Sequence, residues 1–126
     1  MKKKLIISLI TLITILCSAF SVSAQSFIVS DVQFGSDVSE DKKQRALKEW
    51  LGAQIDLQFF DNNVKMTNEE KEVLILDKIN STTYGMSRNN DKVVLKLNTL
   101  IAYIRSFTYT VYEDNQKKCV MTAKRK

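Results

Sequence analysis

The stretch from Asp91 to Ala123, DKVVLKLNTLIAYIRSFTYTVYEDNQKKCVMTA, decides the fold of this chain. Apolar and polar residues alternate along most of it, which is typical of strands with one buried face. The run Asp114-Asn115-Gln116 interrupts the alternation and favours a tight turn, because Asn and Asp tolerate left-handed backbone geometry. We therefore expect strands around Val93–Leu97, over Ile101–Glu113 and around Cys119–Ala123, with antiparallel neighbours joined by short turns.

The same pattern extends towards the N-terminus. Alternation or short apolar runs predict four further strands, over residues 27–34, 53–59, 64–66 and 73–79, and residues 82–88 are a further candidate. In the first of these, Ile28, Val32 and Phe34 are expected to share one face. Asp and Asn residues at 61–63 and 89–91 are expected to form turns between neighbouring strands.

Between the first two strands the spacing of apolar residues changes to that of a helix. Ser39 is the predicted N-cap, acidic residues occupy the first turn, and Gly52 is the predicted stop. The apolar stripe consists of Ala46, Leu47, Trp50 and Leu51.

About seven strands in sequence predict a mainly β fold, an antiparallel meander that forms a small barrel or half-barrel with one short α-helix. The helix is expected to plug one end or cover one edge. The strand-helix-strand start also resembles a cystatin-like α+β sheet wrapped on its helix, and this alternative stays open. Its exposed sheet edge would pair with a strand of another protein.

Residues 1–24 have the layout of a secretory signal peptide. Lys2–Lys4 precede an apolar run from Leu5 to Leu16, and Val22-Ser23-Ala24 provides the small residues of a cleavage site. We expect cleavage after Ala24, a single β-rich domain over residues 25–126, and no transmembrane segment after cleavage.

Export places the protein in the periplasm or outside the cell. Lipid attachment at Cys17 is the minor alternative, since Ile15 and Leu16 are larger than the residues that usually precede a lipidated cysteine. Cys119 is the only other cysteine, so the mature chain is expected to contain no intrachain disulfide.

The charge of the mature chain is modest. Three of the 19 lysines and arginines lie in the leader and none of the 14 acids does, so the net charge falls from +5 to +2. We therefore expect no nucleic-acid partner, and we interpret Lys124–Lys126 as a solvated end.

The chain contains no histidine, which removes the commonest general base and transition-metal ligand. With a single cysteine beyond the leader, no Ser-His-Asp set, Cys-His set or ordinary zinc site is expected. We predict neither a cofactor nor catalysis. A hydrolase that uses Asp56 or Asp77 is kept as a remaining hypothesis.

Aromatic residues on the odd-numbered face of the long strand are candidates for lining a pocket, although filling the core is the simpler interpretation. Arg105 lies among them, and a buried guanidinium needs a partner, a stacked ring or a ligand. The candidate ligand-binding residues are Trp50, Phe59, Tyr84, Tyr103, Arg105, Phe107 and Tyr109.

A short helix, alternating strands, one tryptophan and a late arginine resemble the small secreted lipocalin-like (calycin) proteins. The resemblance implies that Trp50 lies at the closed end of a barrel and that Arg105 packs across it. It also implies a barrel with an apolar interior. We therefore expect an exported, non-catalytic binding protein with a ligand inside its barrel. The alternative is a protein-protein interaction module or inhibitor of another envelope or external protein.

Overall fold

The computed structural model describes residues 24–100 and 103–126, which contain eight strands and one helix. Residues 1–23 of the predicted leader, with Cys17, lie outside this part of the chain, and so does Ile101. The elements are β1 (Gln25–Phe34), α1 (Glu40–Trp50), β2 (Gln54–Phe59), β3 (Asn63–Thr67), β4 (Val73–Asn80), β5 (Thr83–Arg88), β6 (Asp91–Leu100), β7 (Tyr103–Glu113) and β8 (Gln116–Arg125).

The strands form a closed antiparallel barrel in sequence order. The closing pair is β1 with β8, in which Phe27 lies opposite Arg125 and Phe34 opposite Cys119. The predicted small barrel with one helix is confirmed, with eight strands where the sequence indicated about seven. The cystatin-like alternative is wrong, because β1 and β8 pair and leave no open edge among the described strands.

Connections alternate between the two ends of the barrel. One end, called here the helix end, holds α1 and the β3–β4, β5–β6 and β7–β8 turns. The other, called here the termini end, holds Gln25, Arg125, the β2–β3 and β4–β5 turns, the end of β6 and the start of β7. Positive φ angles at Asn89, Asp114 and Asn115 confirm the predicted Asp/Asn turns at the helix end.

Helix α1 begins and ends as its sequence predicts. The hydroxyl of Ser39 accepts a hydrogen bond from the backbone N–H of Lys42 at 3.4 Å, and Gly52 follows the helix at φ 84°. Ala46 and Trp50 are buried, so α1 covers the helix end with one face. Leu51 is 46% exposed and does not belong to the buried stripe, since the chain has already left helical geometry there.

The inward faces of all eight strands contribute to one apolar core. An edge-to-face contact joins Phe27 and Phe107, whose ring centroids are 5.1 Å apart. Such pairs add about 0.5–1.5 kcal/mol beyond the area that they bury. The largest fully buried side chains are Tyr109, Phe27, Phe107, Leu57, Leu76, Leu95, Met121, Val64, Val93, Val111 and Cys119.

Among the described strands, four β-bulges interrupt the pairing. In each, one residue has no partner across the ladder while its neighbours remain paired; these residues are Ser30, Ile79, Arg105 and Lys118. A bulge inserts one residue, so the inward and outward positions exchange along the strand beyond it.

The bulge at Ser30 corrects the predicted face of β1. Phe27 and Val29 point inward before it and Val32 points inward after it, with exposures of 0%, 2% and 6%. Ile28 lies on the other face, so the predicted common face of Ile28, Val32 and Phe34 is wrong.

Candidate functional site

The aromatic residues predicted to line a pocket are divided between the core and the surface. Phe107 and Tyr109 are fully buried in the centre of the barrel. Burial raises the pKa of Tyr109 well above its ordinary value, with a smaller contribution from Cys119. Both rings fill the interior as core residues do.

Phe59 and Tyr84 lie together inside the barrel towards its termini end. Their ring centroids are 5.8 Å apart with an interplanar angle of 56°. Tyr84 is 4% exposed, and burial raises the pKa of its hydroxyl. The two rings contact each other and the core.

Trp50 closes the interior at the helix end. Its ring lines a cavity of about 10 Å³ together with Val29, Ala53, Ile55, Asn68, Glu69 and Met121. Such a volume is about the least that holds a single water molecule. The indole Nε1 is buried without a hydrogen-bond partner among the described residues. This site is too small for an organic ligand.

Arg105 does not stack on Trp50, so that prediction is wrong. Arg105 is the bulged residue of β7 and lies exposed near the termini end, whereas Trp50 lies at the helix end. Because the bulge exchanges the faces of β7, Ile104 packs against the core and Tyr103 is 51% exposed. Tyr103 and Arg105, two of the predicted ligand-binding residues, are therefore exposed at the surface of the barrel and do not line its interior.

The arginine that packs on aromatic rings is Arg125. Its guanidinium carbon lies 4.4 Å from the ring centroid of Tyr103 and 5.6 Å from that of Phe27. Its Nε donates to the carbonyl oxygen of Ile104 at 2.8 Å, and its Nη2 donates to Oε1 of Gln25 at 2.6 Å. These contacts tie the ends of β7, β8 and β1 together and cover the core at the termini end.

Arg125 was missed because three consecutive basic residues at a terminus suggest a solvated tail. The chain is ordered there instead, and the backbone N–H of Lys126 donates to the carbonyl of Ser26 at 3.0 Å. The sequence did contain a signal, because every second residue of a strand faces the same side. Arg125 continues the inward series of Cys119, Met121 and Ala123.

The outward residues near the end of β6 and the start of β7 form a surface of mixed character. We call Lys96, Leu100, Tyr103, Arg105 and Lys124 the basic-apolar patch. Leu100 and Tyr103 are register partners and are 56% and 51% exposed. Lys96, Arg105 and Lys124 are exposed as well.

Strand pairing places the patch residues on adjacent rows of the barrel wall. Lys124 is opposite Ser106, and Ser106 is opposite Asn98. The amide of Asn98 donates to the hydroxyl of Ser106 at 3.2 Å, which links β6 to β7 between the apolar and basic side chains.

The two aspartates of the hydrolase hypothesis lie on strands that do not pair, β2 and β4. Oδ1 of Asp56 accepts hydrogen bonds from Ser26 Oγ at 2.8 Å and Gln54 Nε2 at 3.0 Å. Asp77 is exposed on the outer wall. Within the described ranges, no three His, Cys, Asp or Glu side chains are grouped so that they could hold a metal ion.

No family model matches the chain, and neither a curated protein nor a solved structure is significantly similar to it. In the part of the chain that the structure describes, no helix has the length and apolar character needed to cross a membrane.

Proposed function

We propose that this chain is an exported, non-catalytic binding protein that engages its partner through the outer surface of the barrel. The leader-like N-terminus supports export, and the lack of histidine together with the separated carboxylates supports a non-catalytic role. The leading expectation from the sequence, a small apolar ligand inside the barrel, gives way here to binding at the basic-apolar patch.

The observation that carries this proposal is the contrast between the inside and the outside of the barrel. The central aromatic rings are fully buried against neighbouring side chains, and the cavity beside Trp50 measures about 10 Å³. A drug-sized ligand needs a pocket of roughly 300–1,000 Å³. Leu100 and Tyr103, in contrast, present apolar surface to solvent beside three exposed cations.

An interior ligand would have to displace packed side chains. Cores have close to crystalline packing density, so a guest of even a few carbon atoms forces the wall apart. The closed β1–β8 seam also removes the open edge on which strand addition by a protein partner would depend. A protein partner would therefore have to contact side chains of the outer wall.

Trp50 provides the test, because it is the only tryptophan and lies at one end of the interior. We expect its fluorescence emission to stay unchanged when the protein is titrated with palmitate or with retinol. Unfolding in urea should shift the emission to longer wavelength and serves as the positive control. A saturable change on adding either compound would show an interior site and overturn the proposal.

A further inference from the structure

The basic-apolar patch has a composition that fits one kind of partner. Residues 96–100, 103–108 and 122–126 form the termini-end halves of β6, β7 and β8 and contain no Asp or Glu. Cations on this surface therefore have no carboxylate within these segments to neutralise them. Among the described residues, Leu100 and Tyr103 are two of the large hydrophobic residues that remain exposed.

Acidic residues concentrate at the opposite end of the molecule. The connections of the helix end contain Asp37, Glu40 and Asp41 before or within α1, and Glu69, Glu70 and Glu72 between β3 and β4. Asp91, Glu113 and Asp114 lie at the other two turns of that end. Cations are interspersed with these acids, however, and the helix end also carries Lys42, Lys43, Arg45, Lys48, Lys71, Arg88, Lys92, Lys117 and Lys118. The helix end therefore has little net charge. Asp61 and Asp77 lie towards the termini end, outside the basic-apolar patch. The positive charge that an anionic surface would attract is local to the patch.

The chain path leads to the same end. The residues before Gln25 join β1 at the termini end, next to the side chain of Arg125. In the minor alternative of a lipid attached at Cys17, the anchor would therefore join the barrel at this end.

The patch side chains suit the interface of a bilayer. Tyrosine is enriched at headgroup depth because its ring is apolar and its hydroxyl is polar. Lysine and arginine beside an apolar anchor contact anionic headgroups, and this contribution is screened by salt. A nucleic-acid surface would use the cations but would leave the exposed side chain of Leu100 without an apolar contact.

We propose that the basic-apolar patch docks the barrel on an anionic lipid bilayer, with Leu100 and Tyr103 at headgroup depth. Lys96, Arg105 and Lys124 contact lipid phosphate groups in this arrangement. The inference rests on the proposed function, since it names the partner of the same outer surface.

The experiment uses residues 25–126, which contain every strand of the closed barrel. The protein is sedimented with vesicles of phosphatidylglycerol and phosphatidylcholine, and with vesicles of phosphatidylcholine alone. We expect binding to the anionic vesicles that weakens as salt is added, and little binding to the neutral ones.

The variants separate a specific patch from net charge. The pair Arg105→Glu and Lys124→Glu should lower the apparent affinity by about tenfold or more. Its matched control, Lys42→Glu with Arg45→Glu, makes the same change of charge on α1 and should stay within about twofold. Leu100→Ser with Tyr103→Ser should weaken binding by several-fold while binding remains sensitive to salt. Urea midpoints check that each variant is folded.

Each contrary outcome has a definite meaning. An equal loss of affinity in the patch variant and in the α1 variant would show that binding depends on net charge alone. That result would overturn the proposal that the patch is the docking site. Equal binding to neutral and anionic vesicles, or no binding to either, would overturn the membrane inference. Patch-dependent binding to a DNA duplex without vesicle binding would replace it with a nucleic-acid partner. The proposed outer-surface function fails separately, through a ligand-dependent change in Trp50 emission.

Discussion

Cys119 illustrates how the interior of the barrel changes the chemistry of a single side chain. The thiol is 1% exposed on the inward face of β8, opposite Val111. Burial, with a smaller contribution from the charge of Glu113, raises the pKa of the thiol from 9.0 to about 12. Because the thiolate is the nucleophile, the folded protein holds Cys119 in its unreactive form.

We predict that Cys119 resists iodoacetamide in the folded protein at pH 8 and is alkylated readily in urea. The measurement is the mass gained over time under the two conditions. Rapid labelling of the folded protein, at a rate close to that of a free cysteine peptide, would contradict the packing of β8 against the core.

The same shift predicts how stability depends on alkaline pH. A thiol that keeps its proton in the folded state and loses it in the unfolded state contributes stability that is complete below pH 9.0. This contribution falls as the pH rises towards about 12. At pH 10.5 the loss is about 2 kcal/mol, since one pKa unit corresponds to about 1.4 kcal/mol.

The free energy of unfolding of Cys119→Ala should therefore decline less steeply between pH 7 and pH 10.5 than that of the unmodified protein. Urea titrations at the two pH values measure the difference. The pKa values of buried Tyr109 and Tyr84 are also raised. These tyrosines therefore lower stability at alkaline pH in both proteins. If the free energy of unfolding declines equally in the two proteins, the thiol of Cys119 is exposed to solvent in the folded state.

At the scale of the element, β7 and its bulge determine which residues face the core. Regular alternation through the strand would place Tyr103 and Arg105 on the same face as Phe107. The bulge at Arg105 places Ile104 inward instead and leaves Arg105 exposed. The ring of Tyr103 is half exposed, and it packs on the guanidinium of Arg125. The bulge thus brings Tyr103 and Arg105 to the surface beside the other residues of the basic-apolar patch.

Substitutions on either side of the bulge test this arrangement. We predict that Ile104→Ala lowers the free energy of unfolding by about 1–2 kcal/mol, since a half-buried isoleucine loses part of the usual large-to-small cost. Arg105→Ala should change it by less than about 0.5 kcal/mol, as exposed positions usually do. Urea unfolding provides both values. A larger loss of unfolding free energy for Arg105→Ala than for Ile104→Ala would contradict the bulge. It would mean that Arg105, and not Ile104, faces the core.

The sequence predicts the elements well and the faces of two strands poorly. Alternation, the Ser39 cap and the Asp/Asn turns locate the strands and α1, because each depends on local backbone preferences. A bulge adds one residue to a strand, so regular alternation assigns the wrong face to the residues beyond it. In β7 the sign of the exchange was a charged Arg105 on the apolar face with Ile104 on the polar one. The role of Arg125 depends on the closing β1–β8 pair, a contact between distant parts of the chain.

At the scale of the whole molecule, closure of the barrel and the local charge of its outer wall bear on the proposed function. Buried side chains from all eight strands line the interior. Acids and cations are interspersed at the helix end, while exposed cations and apolar residues meet in the basic-apolar patch at the termini end. We expect such a local positive patch to turn that side of the barrel towards an anionic surface.

The most direct test of binding from the outside is amide-resolved nuclear magnetic resonance on residues 25–126. The protein is titrated with anionic bicelles in one series and with palmitate in another. We predict that bicelles perturb amides around Lys96, Leu100, Tyr103, Arg105 and Lys124, and that palmitate leaves the inward residues of the barrel unchanged. Saturable palmitate shifts spread over inward residues such as Leu57, Tyr109 and Met121 would contradict the account, because they would place the binding site inside the barrel.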